Sequence, residues 1–206
     1  KQLGIDEKPE TDLPGAVAGQ IKSKQIFIKQ PIEPAVASFG QGFSITPLKL
    51  AQLHALIANG GKLVTPHITK GLKGDSQSIL NPLPESKQVL TPEVTKIVLG
   101  WMETVVEKGS GMEAAIPGYR IGGKTGTAQK SKDGRNYDSK ICSFVASLPV
   151  NEPRFVVLVV VDEPQEPFAF GSTVAVPVAK KIIETLLVIE QIPPSVRREE
   201  NSLVKS

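Results

Sequence analysis

The sequence predicts an α+β fold, an antiparallel three-strand meander flanked by helices, and three observations carry that prediction. Two segments with proline-initiated helical periodicity precede a run of strand-like segments, and a third helical segment follows it. The strand-like segments, 119–129, 140–148 and 154–162, are consecutive in the chain. Their connections carry Asp133-Gly134 and Asn151-Glu152-Pro153, turn chemistry too short for a crossover helix. Helix, three strands, helix is the order of an α+β protein rather than a parallel α/β sheet.

Each element has its own signal. Residues 1–45 are rich in Pro and Gly, with turns at Leu13-Pro14-Gly15 and Gly40-Gln41-Gly42, and are expected to hold short strands and loops. A helix starts where Thr46 can cap and Pro47 fits the first helical position. Leu50, Leu53 and Ile57 share its face, and Gly60-Gly61 stops it. A short strand is expected near Lys62 to Val64, followed by a polar, proline-bearing loop to about residue 90. Thr91-Pro92 repeats the start signal. Val94, Ile97, Val98, Trp101, Met102 and Val105 follow helical spacing up to Lys108-Gly109 and form the expected apolar face. The last helix is expected over 177–189, and the charged tail beyond Pro193-Pro194 is expected to be loose.

Bulk properties narrow the function. With 206 residues, 40% hydrophobic and 22% charged, the chain can build one good-sized core or a large piece of one. The net charge of +3 comes from interspersed Lys and Arg, without the basic, aromatic-laced stripe of a nucleic-acid binder. Cys142 is the sole cysteine, which excludes an internal disulfide and a cysteine-based metal site. His54 and His67 lack ligand spacing, so neither metal nor cofactor is expected. The longest apolar run, Phe155 to Val161, is far too short to span a bilayer, and there is no signal peptide. The chain opens on Lys1 in what reads as mid-domain sequence, and truncation or processing is expected.

The chemistry concentrates in residues 118–129, where two motifs overlap. Gly118-x-x-x-x-Gly123-Lys124-Thr125 matches the phosphate-binding P-loop, and the run Phe155 to Val161 ends in Asp162 as a magnesium-binding strand would. That motif needs a buried strand before it and a helix after it to aim amides at phosphate. Neither flank shows the required pattern. The other motif is Lys124-Thr125-Gly126-Thr127 on a strand. Period two puts Thr125 and Thr127 on one face, where two hydroxyls can grip one carboxylate. Lys124 adds positive potential, and the neighbouring glycines admit a peptide backbone along the edge.

With these residues in view the chain resembles the class B penicillin-binding proteins, the transpeptidases that build septal or elongating cell wall. Lys-Thr-Gly is one of three motifs of that superfamily. Asp12-Leu13-Pro14-Gly15, Ser38-Phe39-Gly40-Gln41-Gly42, Thr46-Pro47-Leu48-Lys49-Leu50-Ala51 and Ala58-Asn59-Gly60-Gly61 follow the family's order. So do Ser143-Phe144-Val145, Val161-Asp162-Glu163-Pro164 and Phe170-Gly171 with Val174-Ala175-Val176-Pro177. The likeness makes 1–192 the C-terminal portion of a transpeptidase domain and leaves 193–206 as tail. It implies that Lys124 organises the site and attracts the substrate carboxylate, which Thr125 and Thr127 bind. Thr127 would supply an oxyanion-hole amide, Gly126 would keep the strand open, and Gln41 would line the cleft or form a structural turn. The implied substrate is the peptidoglycan stem peptide ending in D-Ala-D-Ala, and β-lactams would acylate the enzyme. Cell-wall synthesis machinery would be its partner. The parent would work at the periplasmic face of the cell inner membrane, held by an N-terminal anchor that this chain lacks.

The family's nucleophile motif, Ser-x-x-Lys, and its Ser-x-Asn do not occur before Lys124. Ser202-Leu203-Val204-Lys205 matches the first, but in the charged tail, where a buried helix start is required. The chain is therefore expected to be inactive alone. It is also expected to expose apolar surface where an absent central helix would cover the sheet. Besides the P-loop hydrolase, a non-catalytic module derived from a transpeptidase is the alternative reading.

Overall fold

A computed structural model describes residues 2–74, 78–82, 84–132 and 135–195. The helices are α1 (Lys24–Lys29), α2 (Ile32–Ser38), α3 (Pro47–Ala58), α4 (Pro92–Lys108) and α5 (Val176–Ile189). The strands are β1 (Lys62–Leu63), β2 (Gly71–Lys73), β3 (Ser78–Leu80), β4 (Lys87–Gln88), β5 (Gly122–Lys132), β6 (Arg135–Leu148) and β7 (Phe155–Asp162). A 3-10 turn at Met112–Ala114 and a π-helical turn at Gly171–Ala175 complete the described elements. Two compact units result. The first comprises Lys1–Leu99 with Ala128–Lys140, the second Gly100–Thr127 with Ile141–Ser206.

The three-stranded sheet has the order β5-β6-β7, as the consecutive strand signals predict. Strands β6 and β7 pair antiparallel from Ile141↔Asp162 to Leu148↔Phe155. Alternation along them defines two faces. Phe144, Ala146, Leu148, Val157 and Val159 join the core of the second unit, together with Ile183 and Leu187 of α5. On the other face Val145 and Ser147 are buried, whereas Ile141 and Val160 are exposed. Among the described residues, exposed apolar surface is thus present at one end of that face.

The helix starts behave as read. Thr46 Oγ1 accepts the Lys49 N–H at 3.2 Å, and Pro47 occupies the first turn of α3, where its missing N–H costs nothing. In α5, Pro177 likewise sits in the first turn, but the helix is preceded by the π-helical turn, whose last bond runs from Val176 N–H to Gly171 carbonyl.

Three expectations need correction. Residues 1–45 hold the helices α1 and α2 rather than short strands, with one isolated bridge between Gln20 and Ser44. Proline misled there: Pro31 is the N-cap of α2 and Pro34 lies in its first turn, positions that need no N–H. The strand expected near Lys62 to Val64 is β1, but β2, β3 and β4 lie where loop was expected, β2 pairing with β3 and β1 with β4. Leu72, Ile79 and Leu80 are all exposed, so these strands carry no alternating burial signal. The third concerns α4. Its buried positions are Thr95, Leu99, Met102 and Val106, whereas Val94, Ile97 and Trp101 of the expected apolar face are 44%, 53% and 67% exposed. The helix has apolar residues around much of its circumference, so periodicity located the helix without fixing which stripe turns inward. The tail motif Ser202–Lys205 lies outside the described residues.

Candidate active site

The Lys-Thr-Gly-Thr segment lies on β5, which is the outer strand of the three, with β6 on one side only. The lead-in to this strand is fixed at several points. Arg120 makes a two-pronged contact with Glu103 of α4, Nε to Oε1 at 2.7 Å and Nη2 to Oε2 at 2.6 Å. That carboxylate raises the Arg120 pKa above its ordinary value. The Arg120 carbonyl accepts from Val150 N–H at 3.0 Å, and the Tyr119 hydroxyl donates to the Ile192 carbonyl at 3.2 Å. These bonds explain why β5 begins at Gly122 rather than at Tyr119: residues 119–121 are spent on anchoring.

Glycines let β5 lie flat against its neighbours. A Cβ on Gly123 would fall 2.5 Å from Phe144 Cζ, on the core side of the sheet. A Cβ on Gly126 would fall 2.5 Å from Ser143 Oγ, on the opposite side. Alternation then assigns Thr125 and Thr127 to the Phe144 side, and Lys124 to the Ser143 side.

Both hydroxyls already have a partner behind them. Thr125 Oγ1 lies 2.6 Å from Ser110 Oγ, and Thr127 Oγ1 accepts the Gly171 N–H at 3.0 Å. Gly171 itself must be glycine, because a Cβ there would lie 2.6 Å from the Gly126 carbonyl oxygen. The Lys124 side chain is exposed, and its ammonium donates to the Thr125 carbonyl at 2.8 Å. The outer strand thus carries two hydroxyls on one face and an exposed ammonium on the other.

Gln41 belongs to the first unit. Its N–H donates to the Val36 carbonyl of α2 at 3.1 Å, and Gly40 and Gly42 on either side have φ of 84° and 77°. Those are turn features. Ser110 and Gly171 were absent from the sequence-derived site. The first reads as a helix stop in Gly109-Ser110-Gly111, and the second stood only as part of a loop signature. The P-loop reading fails on geometry: a phosphate loop requires a helix opening at Thr125, and β5 runs on as strand to Lys132.

Known proteins agree with this geometry. Residues 1–184 match the family model for the penicillin binding protein transpeptidase domain. This chain belongs to that family. A peptidoglycan D,D-transpeptidase FtsI homolog of Mesostigma viride is 42% identical over 94% of the chain and 35% of its own length. Stage V sporulation protein D of Bacillus subtilis is 37% identical over 91% of the chain and 29% of its own length. The chain therefore spans about a third of these curated relatives. Among solved structures, the transpeptidase domain of Burkholderia pseudomallei penicillin-binding protein 3 superposes with a TM-score of 0.81 at 36% identity. It covers 95% of this chain, and this chain covers 57% of it. Penicillin-binding protein 3 of Mycobacterium tuberculosis, solved in complex with ampicillin, gives a TM-score of 0.84 at 26% identity, covering 96% of this chain and 46% of its own. Among the described residues no helix is long and apolar enough to cross a membrane.

Proposed function

We propose that this chain is the carboxylate-receiving part of a peptidoglycan cross-linking D,D-transpeptidase. The observation that supports it most directly is the placement of Thr125 and Thr127 on one face of an outer strand that also carries Lys124. In this reading the stem peptide lies along the free edge of β5, its terminal D-Ala carboxylate held by the two hydroxyls and drawn by the Lys124 ammonium. The Thr127 amide stabilises the oxyanion that forms when a serine attacks the penultimate D-Ala carbonyl. Terminal D-Ala leaves as a free amine, and the acyl group passes to an amine of a neighbouring stem. β-Lactams present the same carboxylate and a reactive carbonyl, so they acylate the same serine.

The serine and its base belong to Ser-x-x-Lys, which this chain does not carry upstream of Lys124. The whole enzyme works outside the cytoplasmic membrane, among the cell-wall synthesis machinery, anchored by a segment beyond these 206 residues. The names of the relatives support the peptidoglycan substrate, and the setting rests on the family resemblance. Gln41 is assigned a turn-forming role, which Gln41→Ala checks through labelling.

Incubation with a fluorescent penicillin, then denaturing electrophoresis, tests the proposal. The 206-residue chain stays unlabelled. The full-length enzyme labels, and Thr125→Val or Thr127→Val slows its labelling about tenfold or more, the size of a lost charge-assisted hydrogen bond. Labelling of the short chain, or full-rate labelling of both variants, overturns it.

A further inference from the structure

Thr125 and Thr127 are treated alike in a way that bears on which atom each presents. An N–H can only donate, so the Gly171 N–H occupies a lone pair of Thr127 Oγ1 and leaves the Thr127 hydroxyl hydrogen free to point elsewhere. Among the described residues, no backbone N–H donates to Thr125 Oγ1 in the equivalent place. What it has is the Ser110 hydroxyl, 2.6 Å away and able to give or take the hydrogen.

Ser110 is held firmly enough to aim. It sits between Gly109 and Gly111, whose N–H groups both donate to the Val105 carbonyl, at 3.0 and 3.1 Å. Met112 N–H closes back on the Gly109 carbonyl at 3.2 Å. Both glycines are closely packed: a Cβ on Gly109 would lie 3.0 Å from Val105 Cα of α4, and one on Gly111 3.3 Å from both the Val105 carbonyl oxygen and Phe144 Cε2 of β6. The turn after α4 is thus packed on both sides of the serine, and its hydroxyl reaches β5 on a side chain with a single heavy-atom torsion.

We propose that Ser110 is a positioning residue for carboxylate recognition: its hydroxyl donates to Thr125 Oγ1, so that the Thr125 hydrogen is given to the terminal carboxylate of the substrate. This rests on the carboxylate role assigned to Thr125 above. A carboxylate accepts only, so its arrival fixes the direction of the Ser110–Thr125 bond, and the relay Ser110, Thr125, carboxylate is polarised in one sense. Ser110 then does for Thr125 what the Gly171 amide does for Thr127. Without the serine, the Thr125 hydroxyl is free to rotate away from the ligand.

The test uses the full-length transpeptidase that carries this segment. Readouts are the second-order rate of labelling by a fluorescent penicillin, and kcat and KM on a peptide ending in D-Ala-D-Ala. Ser110→Ala lowers the labelling rate about five- to tenfold, the loss of one hydrogen bond in a charge-binding relay. On the peptide the change falls in KM, with kcat held within about twofold, because the carboxylate is bound before the chemistry begins. Ser110→Thr keeps the hydroxyl and restores the rate to within about twofold. Ser110→Ala adds nothing to Thr125→Val, since the serine acts only through that threonine. Thermal midpoints accompany each variant, and Ser110→Gly, which suits any backbone in the turn, repeats the loss if Ser110→Ala misfolds.

A normal labelling rate in folded Ser110→Ala or Ser110→Gly, alongside a slow Thr125→Val, overturns the inference and leaves the carboxylate site standing. The same holds for Ser110→Thr behaving like Ser110→Ala, or for a loss in Ser110→Ala that is fully additive with Thr125→Val. Normal labelling in Thr125→Val itself overturns the carboxylate reading instead.

Discussion

The two units of the molecule are stabilised differently. In the second unit, buried hydrophobic residues form one cluster that includes Val106, Phe144, Val157, Ala179 and Ile183. In the first, Leu56 and Leu99 are the buried hydrophobic residues among those described, and the polar Glu33, Lys49, Gln52 and Thr95 are buried as well. Glu33 is paired with Lys22 at 2.6 Å. Burial pushes the Lys49 ammonium below its ordinary pKa, an effect that Glu7 partly opposes. Gln52 donates to the Val64 carbonyl at 2.6 Å. Asp12, within the Leu13-Pro14-Gly15 turn region, takes the N–H groups of Ile68 and Thr69 at 2.9 and 2.7 Å. One unit rests on apolar burial, the other on caps and polar links. The site-bearing half of β5 is in the first kind, which is where a peptide-binding edge gains most from rigidity.

The contrast is easiest to break at Phe144. This ring is fully buried and lies against Gly123, at the head of the site strand. Phe144→Ala is expected to cost about 3–5 kcal/mol, by lost transfer energy and the cavity left behind. Urea unfolding followed by hydrogen exchange on β6 and β7 reads it. Glu103→Gln comes next. It leaves Arg120 without its carboxylate, and because that arginine is partly exposed the expected cost is only about 1 kcal/mol. Its sharper readout is faster amide exchange at Ile121 and Gly122. Thr46→Ala removes the cap of α3 in the first unit for about 1 kcal/mol, and Thr46→Ser keeps it. If Thr46→Ala proved as costly as Phe144→Ala, the division between burial and capping would be gone.

Legibility followed the same division. The second unit was readable because its signals are redundant. Three consecutive strands and the Lys124–Thr127 motif point to the same sheet, and consistency across levels is what sequence patterning detects; of the apolar face expected for α5, Ile183 and Leu187 are buried but Val178 and Ile182 are exposed. The hydroxyl pair came through because period two is strict. Ser110 did not, since nothing in Gly-Ser-Gly announces a partner fifteen positions away on β5. The inward stripe of α4 was misread for a related reason. Val94, Ile97 and Trp101 look as apolar as Leu99, Met102 and Val106, and only the tertiary neighbours choose between them. In the first unit, α2 hid behind prolines that are harmless at a helix start, α1 is only 6 residues long, and the polar links that order this region have no periodicity to find.

The smallest effect expected is also the one that separates the units by pH. His54 of α3 is half-buried, and its Nδ1–H donates to the Leu50 carbonyl at 3.0 Å. Burial pushes its pKa below the ordinary value of 6.5, and the bond to Leu50 only partly offsets that. The folded chain therefore holds this histidine neutral where the unfolded chain would protonate it. Above pH 6.5 both states are neutral and the full stability of the first unit is present. As pH falls through 6.5 the unfolded state alone gains a proton, so stability declines, and it levels off once pH passes below the folded value. Amide exchange in α3 should quicken across that window, while exchange in the Phe144 core, which holds no histidine, should not. His54→Gln, neutral at every pH, should flatten the decline in α3. A decline of equal size in both units, or one that survives in His54→Gln, would show that they open together and that the contrast drawn from burial does not extend to their dynamics.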